Sequence, residues 1–243
     1  MAFMEKLINR DNLPDMFNVS SLKAKNKLSY KRIFYALKGL EKKGEVIKIS
    51  RGVYSKSHNP FYIASRFFNG YIGFSSALYL LESKNETTGT IYVCSFKNHV
   101  PIKVLDKIII NVNLKGHFYG TKSILMDGNE ILVSTFPKTL FDMLYKVRYA
   151  DFQSIFISLN NRETKKEEWA EFFSYVKHSN ISVIRRAGYI LEDIAPSSFI
   201  KELKTISDGK RGPSFLFDHS FTNYSKEWKI FDSLNIKRWK NGI

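Results

Sequence analysis

The sequence predicts a mixed α+β fold, because helical and strand-like patterns of apolar residues occupy different stretches of the 243-residue chain. Helical spacing dominates residues 14–43 and 61–81 and returns after residue 136, whereas short β-rich runs separated by turn residues occupy residues 91–134. Hydrophobic residues make up 44% of the chain and aromatic residues 15%, which excludes a disordered polypeptide. The length allows one large domain or two modest ones.

The first quarter of the chain predicts three helices followed by a β-hairpin. The expected elements are, in order, helices at residues 3–9, 14–25 and 29–43, a tight connection at 26–28, and strands at 45–49 and 53–54. Arg51 and Gly52 stand at the tip of the hairpin, where glycine supplies the φ freedom that a tight turn needs. Helix, helix, turn, helix and hairpin is the order of elements in a winged helix-turn-helix.

The third of these helices carries the strongest local signals. Ser29 is a good N-cap, and Gly44 stands where a helix commonly ends in a glycine. Three apolar residues recur at helical spacing on one face, namely Ile33, Leu37 and Leu40. We expect that face to pack inward and the opposite face to meet solvent.

The solvent face of this helix is basic and polar, which is what phosphate anchoring and base-edge reading require of a recognition helix. The candidate DNA-binding residues are Ser29, Tyr30, Lys31, Arg32, Tyr35, Lys38 and Arg51. We expect the lysines and Arg51 to set affinity through phosphates, and Arg32 and Tyr35 to reach base edges. The expected partner is double-stranded DNA.

The net charge favours a polyanionic partner without identifying it. Residues 1–58 contain ten lysines and three arginines against five acidic residues, so they carry +8 of the total net charge of +15. The same excess would suit an acidic protein surface. Solvated surface lysines that have no partner are a further interpretation.

A polar stretch that ends in a proline, residues 55–60, predicts the boundary between a winged helix-turn-helix domain at 1–58 and an α+β domain at 61–243. The elements expected in the second domain are helices at 61–68, 73–81, 136–144, 151–159, 163–177, 182–191 and 197–203, and strands at 91–96, 108–112, 123–126 and 130–134. Asp127-Gly128 is a strong hairpin signal. The residues from about 205 onward, which include Trp228 and Trp239, predict an irregular or extended appendage.

Candidate catalytic groups form no recognisable constellation in the sequence. The histidines are widely spaced, without the short helical spacing of a metal site, and they are His58, His99, His117, His178 and His219. Asp127 and Glu130 straddle a turn, but Leu132 occupies the position where a Mg²⁺-dependent nuclease would place a lysine. No Gly-rich phosphate loop is present. We therefore expect no enzyme activity, no metal and no cofactor.

Cysteine content and hydropathy predict the compartment. Cys94 is the only cysteine, so no internal disulfide can form, and a reducing intracellular location is the default. No segment has the order of a signal peptide, and no run approaches the roughly 20 apolar residues that span a bilayer. We expect a soluble cytoplasmic protein without membrane contact.

Four short motifs follow one another along most of the chain. They are Ser50–Tyr54 (SRGVY), Gly73–Leu78 (GFSSAL), Pro137–Asp142 (PKTLFD) and Arg185–Glu192 (RRAGYILE). Their order and spacing over roughly residues 5–200 resemble the AbiEi family of abortive-infection antitoxins and transcriptional regulators. Lys138 departs from the family pattern, which often has a Pro-Glu-Arg-Thr-Leu segment at this place.

The resemblance implies both a fold and a function. An AbiEi-like protein would bind an inverted-repeat operator through a winged helix and repress its own promoter. It would also act as the antitoxin of a type IV toxin-antitoxin system in phage defence. Its C-terminal domain would counter a nucleotidyltransferase-type toxin without forming a stable complex with it.

Charged residues in the later helices allow two interpretations. Asp142 lies within an otherwise apolar helix, which predicts a structural ion pair or hydrogen bond, with Arg185 or Arg186 as candidate partners. Arg185 and Arg186 could equally be structural, or Arg186 and Tyr189 could display a cation and an aromatic ring together. Under the second interpretation Arg185, Arg186 and Tyr189 form a surface for a toxin, an RNA or a second operator contact.

Two functions of other classes remain open on sequence grounds. One is a protein-interaction module that neutralises a partner by direct contact, with the basic charge serving an acidic surface and without specific DNA binding. The other is a nucleic-acid enzyme that uses the second domain. The adjacent reading frame tests the antitoxin role, because a nucleotidyltransferase-like gene there favours it and the absence of such a gene favours a stand-alone regulator.

Overall fold

The structure, a computed structural model, describes residues 8–82, 89–217 and 223–236. Helices and β-strands both contribute to it, so the mixed α+β class expected from the sequence is confirmed. The chain divides into two units, of which the first takes the described residues of 1–72, 88–118 and 123–133, and the second those of 73–87, 119–122 and 134–243. The domain boundary expected between residues 58 and 61 falls within the first unit and stays a prediction.

The first unit begins with two helices and three short strands. They are β1 (Met16–Asn18), α1 (Val19–Asn26), α2 (Tyr30–Lys42), β2 (Ile47–Ser50) and β3 (Val53–Ser55). The strands pair antiparallel in the order β1-β3-β2. The helix expected over residues 29–43 and the hairpin after it are confirmed. The helix expected at residues 3–9 lies mostly outside the described residues.

The expected start of the second helix, at Pro14, is wrong. The chain forms β1 first, and α1 begins after Asn18, whose side chain accepts a hydrogen bond from the Ser21 N–H at 2.7 Å. β1 forms because Phe17 is buried beside Tyr54 of β3, with their ring centroids 5.9 Å apart and the rings stacked. A cross-strand aromatic pair of this kind stabilises a sheet, and a helix beginning at residue 14 would lose it.

Both ends of α2 are fixed by the residues expected to cap it. The Ser29 hydroxyl accepts a hydrogen bond from the Arg32 N–H at 3.4 Å, and Gly44 adopts a φ of 69° just beyond the helix. Ile33 and Leu37 have no exposed surface and belong to a core cluster shared with α1 and the hairpin. Packing therefore determines which face of α2 meets solvent.

A six-stranded sheet organises the rest of the first unit. After α3 (Pro60–Phe68) come β4 (Tyr71–Ile72), β5 (Thr90–Ser95), β6 (Ile102–Val104), β7 (Lys107–Asn113), β8 (Thr121–Met126) and β9 (Asn129–Ser134). Their order is β6-β7-β5-β4-β9-β8, with β5 and β7 parallel. Asp127 and Gly128 have φ values of 50° and 71°, which confirms the expected tight hairpin between β8 and β9. β4 and β6 are too short to give a sequence signal.

The second unit consists mainly of helices. They are α4 (Phe74–Glu82), α5 (Phe136–Tyr145), α6 (Phe152–Asn161), α7 (Lys166–Lys177), α8 (Ile181–Leu191) and α9 (Ser197–Asp208). Each corresponds to an expected helix with ends shifted by a few residues. α8 is enclosed on most of its circumference, because Val183, Ile184 and Arg185, which point about 100° apart around the helix, are 0%, 3% and 0% exposed.

The chain after α9 is not an irregular appendage in the part that the structure describes. It forms a small sheet from β10 (Ser214–Phe215), β11 (Asn223–Ser225) and β12 (Ile230–Asp232). Trp228 is 1% exposed and lies against Gly188 of α8, where an added Cβ would come within 2.1 Å of the indole. The indole N–H donates to Glu192 at 2.9 Å. These contacts make the segment part of the core, whereas Trp239 lies outside the described residues.

Candidate nucleic-acid interface

α2 presents a line of exposed side chains directly away from the core. Lys31, Tyr35 and Lys38 follow one another at spacings of four and three residues, so they share one side of the helix. All three are exposed, and Tyr35 has 68% of its surface open to solvent. Because Ile33 and Leu37 are fully buried, packing holds this line outward.

The two arginines expected at the interface are also exposed. Arg32 lies about 100° round the helix from Lys31, and so stands beside the line rather than on it. Arg51 is exposed in the turn between β2 and β3. The Val19 N–H donates a hydrogen bond to the Gly52 carbonyl at 2.8 Å, which ties this turn to the start of α1.

Sequence reasoning missed two residues of this surface. Lys23 of α1 places its ammonium group 4.4 Å from the centre of the Tyr30 ring, a cation–π contact that joins the two helices. Phe34, one turn after Tyr30, is 44% exposed. The run Lys23-Ala24-Lys25-Asn26-Lys27 signals positive charge, but only the helix phase shows which lysine faces α2.

We call these exposed residues of α1 and α2 the α2 surface. It comprises Lys23, Tyr30, Lys31, Arg32, Phe34, Tyr35 and Lys38. Among the described residues, no carboxylate lies within ion-pair distance of its cations or of Arg51. Their positive charge is therefore available to an anionic partner. Ser29 contributes differently, because its hydroxyl already caps α2.

The second candidate surface, at Arg185, Arg186 and Tyr189, is wrong. Arg185 is completely buried, and its guanidinium group donates to the backbone carbonyls of Gly212 and Lys210, the latter at 2.9 Å. The group therefore holds the chain after α9 against α8. It has no surface with which to meet a partner.

The other two residues of that group also make internal contacts. Tyr189 is 3% exposed and donates its hydroxyl proton to Asp232 at 2.9 Å, and burial raises the pKa of the phenol. Arg186 donates to the carbonyls of Phe215 at 2.9 Å and Leu144 at 3.1 Å. Its burial lowers the guanidinium pKa to about 10. The physical reason for the correction is that α8 is packed on nearly every side.

The expected partner of Asp142 is wrong as well. Asp142 pairs with Lys138, four residues before it on α5, and both side chains are fully buried. The Lys138 ammonium group also lies 5.0 Å from the Tyr119 ring. Burial, with Asp142 as a secondary cause, raises the pKa of Tyr119 to about 12. Lys138, which departs from the AbiEi pattern, therefore neutralises an internal carboxylate.

A cavity of about 630 Å³ in the second unit is lined in part by Arg162, Glu168 and Glu171, whose charged groups make internal contacts. Arg162 binds both carboxylate oxygens of Glu168, at 2.6 and 2.8 Å, and its guanidinium carbon lies 3.9 Å from the Phe136 ring centre. Glu171 accepts hydrogen bonds from Thr135 at 2.8 Å and Tyr175 at 2.6 Å. This arrangement stabilises the helices around the cavity.

The acidic residues weighed as nuclease candidates also have a structural neighbour. Asp127 accepts a hydrogen bond from the Asn59 amide at 2.9 Å, while the Asn59 carbonyl oxygen caps α3. Within the described ranges, no group of three or more His, Cys, Asp or Glu residues could hold a metal ion. No helix in the described part of the chain is both long and apolar enough to cross a bilayer.

Comparison with known proteins shows that the fold is similar to that of a solved structure. No protein-family model matches the chain, and no curated protein matches it. The crystal structure of the Rv2827c protein from Mycobacterium tuberculosis is similar, with a TM-score of 0.59 over 96% of this chain and 91% of that one. The two sequences are 10% identical. At that level of identity the likeness shows a shared fold alone.

Proposed function

We propose that the protein is a sequence-specific DNA-binding repressor whose winged helix-turn-helix consists of α1, α2 and the three short strands. The observation that carries the proposal is the line of Lys31, Tyr35 and Lys38 on the outward side of α2, without a described carboxylate to neutralise it. A helix of this kind fits the major groove, and its unpaired cations match the phosphates at the groove edges.

The side chains divide into two roles. Phosphates are contacted by Lys31 and Lys38 of α2 and by Arg51 of the hairpin turn. Such contacts raise the affinity for DNA but do not distinguish one base sequence from another. Arg32 and Tyr35 reach base edges. The planar guanidinium group can pair with guanine through two hydrogen bonds, and Tyr35 is the most exposed of the three aromatic residues of α2. The operator is an inverted repeat in the protein's own promoter, as the AbiEi resemblance implies.

The antitoxin role extends this proposal to the second unit. In an AbiEi-like system the protein counters a nucleotidyltransferase-type toxin in the cytoplasm, without catalysis and without a stable complex. The test is co-expression with the toxin encoded in the adjacent reading frame. We expect growth to recover while the two proteins elute separately in gel filtration. Continued growth arrest in the presence of the folded protein would contradict the antitoxin role.

A second candidate is a protein-interaction module for an acidic partner. Tyr30 and Phe34 favour it, because they are 45% and 44% exposed on the α2 surface and aromatic residues are enriched at protein interfaces. The cations of the same surface would then pair with carboxylates rather than phosphates. This function predicts no preference among DNA sequences.

One binding experiment separates the two candidates. The purified protein is titrated with its own upstream DNA and with a scrambled duplex of equal length, at two salt concentrations. An affinity for the upstream duplex that is about 10³-fold or more above the affinity for the scrambled duplex would lie in the usual range of specific recognition. That result supports the repressor. Equal, salt-sensitive binding to both duplexes would reduce the α2 surface to an electrostatic patch and favour the interaction module.

A further inference from the structure

The outward side of α2 contains a glycine that the fold does not need. Gly39 lies within the helix, is exposed, and has no atom within 4 Å of the position where a Cβ would stand. The other described glycines of the first 59 residues differ, because Gly44 and Gly52 adopt φ values of 69° and 76° that favour glycine. Neither packing nor backbone conformation accounts for Gly39.

A glycine at such a position lowers the stability of the free protein. Glycine loses more backbone freedom in a helix than alanine does, and alanine would fit here without a clash. The missing side chain therefore brings no benefit to the free protein. Its benefit has to come from something that approaches the helix.

Gly39 lies inside the surface to which DNA binding has been assigned. It follows Tyr35 by four residues and Arg32 by seven, and these spacings put all three on one side of α2. Lys38 precedes it and Lys42 follows one turn later, both exposed. The gap in the side-chain layer is thus bordered by a phenol and by cations.

We propose that a DNA sugar–phosphate strand packs against α2 at Gly39, closer than any side chain would allow. The inference rests on the proposed DNA-binding function and adds a contact to it. A helix with its side chains is about 10–12 Å across and the major groove is about 12 Å wide, so one bare position lets the helix sit deeper between the groove walls. Lys38 and Lys42 then flank the phosphate, and Tyr35 and Arg32 come within reach of the bases.

The test is Gly39→Ala, measured for both stability and DNA binding, with Gly209→Ala as the matched control. Gly209 at the end of α9 also has open space around its Cβ position and an ordinary helical conformation, and it lies outside the α2 surface. We expect Gly39→Ala to raise Tm by about 2–4 °C, because alanine is the better helix former. We expect it to weaken binding to the upstream duplex about tenfold or more, since it displaces phosphate and base contacts together.

The scrambled duplex and a larger side chain sharpen the result. Binding to scrambled DNA should change less than about twofold, because non-specific association depends on charge rather than on close fit. Gly39→Leu should lose more affinity for the upstream duplex than Gly39→Ala while keeping the fold. Gly209→Ala should leave both duplexes bound as in the wild type.

The possible outcomes separate this inference from the function on which it rests. If the wild type prefers its upstream DNA and Gly39→Ala binds that DNA equally well or better, the close contact is wrong and the repressor function stands. If the wild type shows no preference, both proposals fail. If Gly39→Ala lowers Tm, the glycine has a structural role and the argument is overturned.

Discussion

α2 and α8 carry nearly the same pattern of residues but use it in opposite ways. Both helices place two cations four and three residues ahead of a tyrosine, in Lys31-Arg32-Ile33-Phe34-Tyr35 on α2 and in Arg185-Arg186-Ala187-Gly188-Tyr189 on α8. On α2 the cations and the tyrosine are exposed. On α8 Arg185 and Tyr189 are buried, and Arg186 donates hydrogen bonds to backbone carbonyls.

The difference shows that the packing around a helix decides whether such a pattern is exposed or buried. α2 has one apolar side, and the remaining positions of the helix are polar enough to leave the cations in water. α8 also has one apolar side, made of Val183, Ile184, Ala187, Ile190 and Leu191. Its opposite side is covered by the chain after α9, which contacts Arg185, Gly188 and Tyr189. A helix that is covered on both sides is buried, and its cations then need internal acceptors.

The sharpest test of this comparison is the stability of Arg185→Ala against that of Arg32→Ala. Arg185→Ala removes the donor of the Gly212 carbonyl and one of the two donors of the Lys210 carbonyl, and it opens a cavity, so we expect a loss of about 3–5 kcal/mol. Arg32→Ala touches only an exposed side chain and should stay within about 0.5 kcal/mol of the wild type. Chemical denaturation monitored by far-UV circular dichroism, which reports on the helices of both units, measures both. Equal losses would mean that the two helices do not differ as described.

A second test contrasts glycines on the two helices. Gly188→Ala would place a Cβ 2.1 Å from the Trp228 ring, and overpacking of this kind costs about 1–3 kcal/mol. Gly39→Ala, which has open space around the new Cβ atom, should instead raise the stability of the protein. Thermal melting of both variants beside the wild type gives the comparison. A Gly188→Ala variant as stable as the wild type would show that Trp228 is free to move away.

The sequence predicts those elements whose signals are local. Ser29 and Gly44 mark the ends of α2, and Asp127-Gly128 marks the turn between β8 and β9, because caps and turns depend on residues close together in the chain. β1 could not be predicted, because Phe17 forms a strand only when Tyr54, 37 residues later in the chain, lies beside it. The contact of Trp228 with Gly188 is equally long-range.

In the candidate site, too, the features set by local sequence could be predicted and those set by long-range packing could not. Exposure of Lys31, Arg32 and Lys38 could be predicted because a single amphipathic helix determines it. The burial of Arg185 and the pairing of Asp142 with Lys138 could not, because they depend on how several helices pack. Lys138 and Asp142 do stand four residues apart, and that i, i+4 spacing is the local signal that could have identified the pair.

The next prediction tests whether the exposed pattern on α2 reads sequence. Arg32→Ala should weaken binding to the upstream duplex by about 1–3 kcal/mol and affect the scrambled duplex less, because the loss of a base-edge contact relaxes specificity. Fluorescence anisotropy with both duplexes at one salt concentration measures the ratio. Unchanged preference between the duplexes would remove Arg32 from the base-reading role and leave Tyr35 as the remaining candidate.

The smallest expected effect is that of Lys31→Ala, which tests whether the outward line of α2 acts through charge alone. A phosphate contact carries no sequence information, so binding to both duplexes should weaken by the same factor. The slope of log Kd against log salt should fall by about one unit, because one fewer counterion is released. Lys201→Ala, on the exposed side of α9, is the matched control and should leave the slope unchanged. Equal changes for the two lysines would mean that the net charge of +15, rather than the α2 surface, attracts DNA.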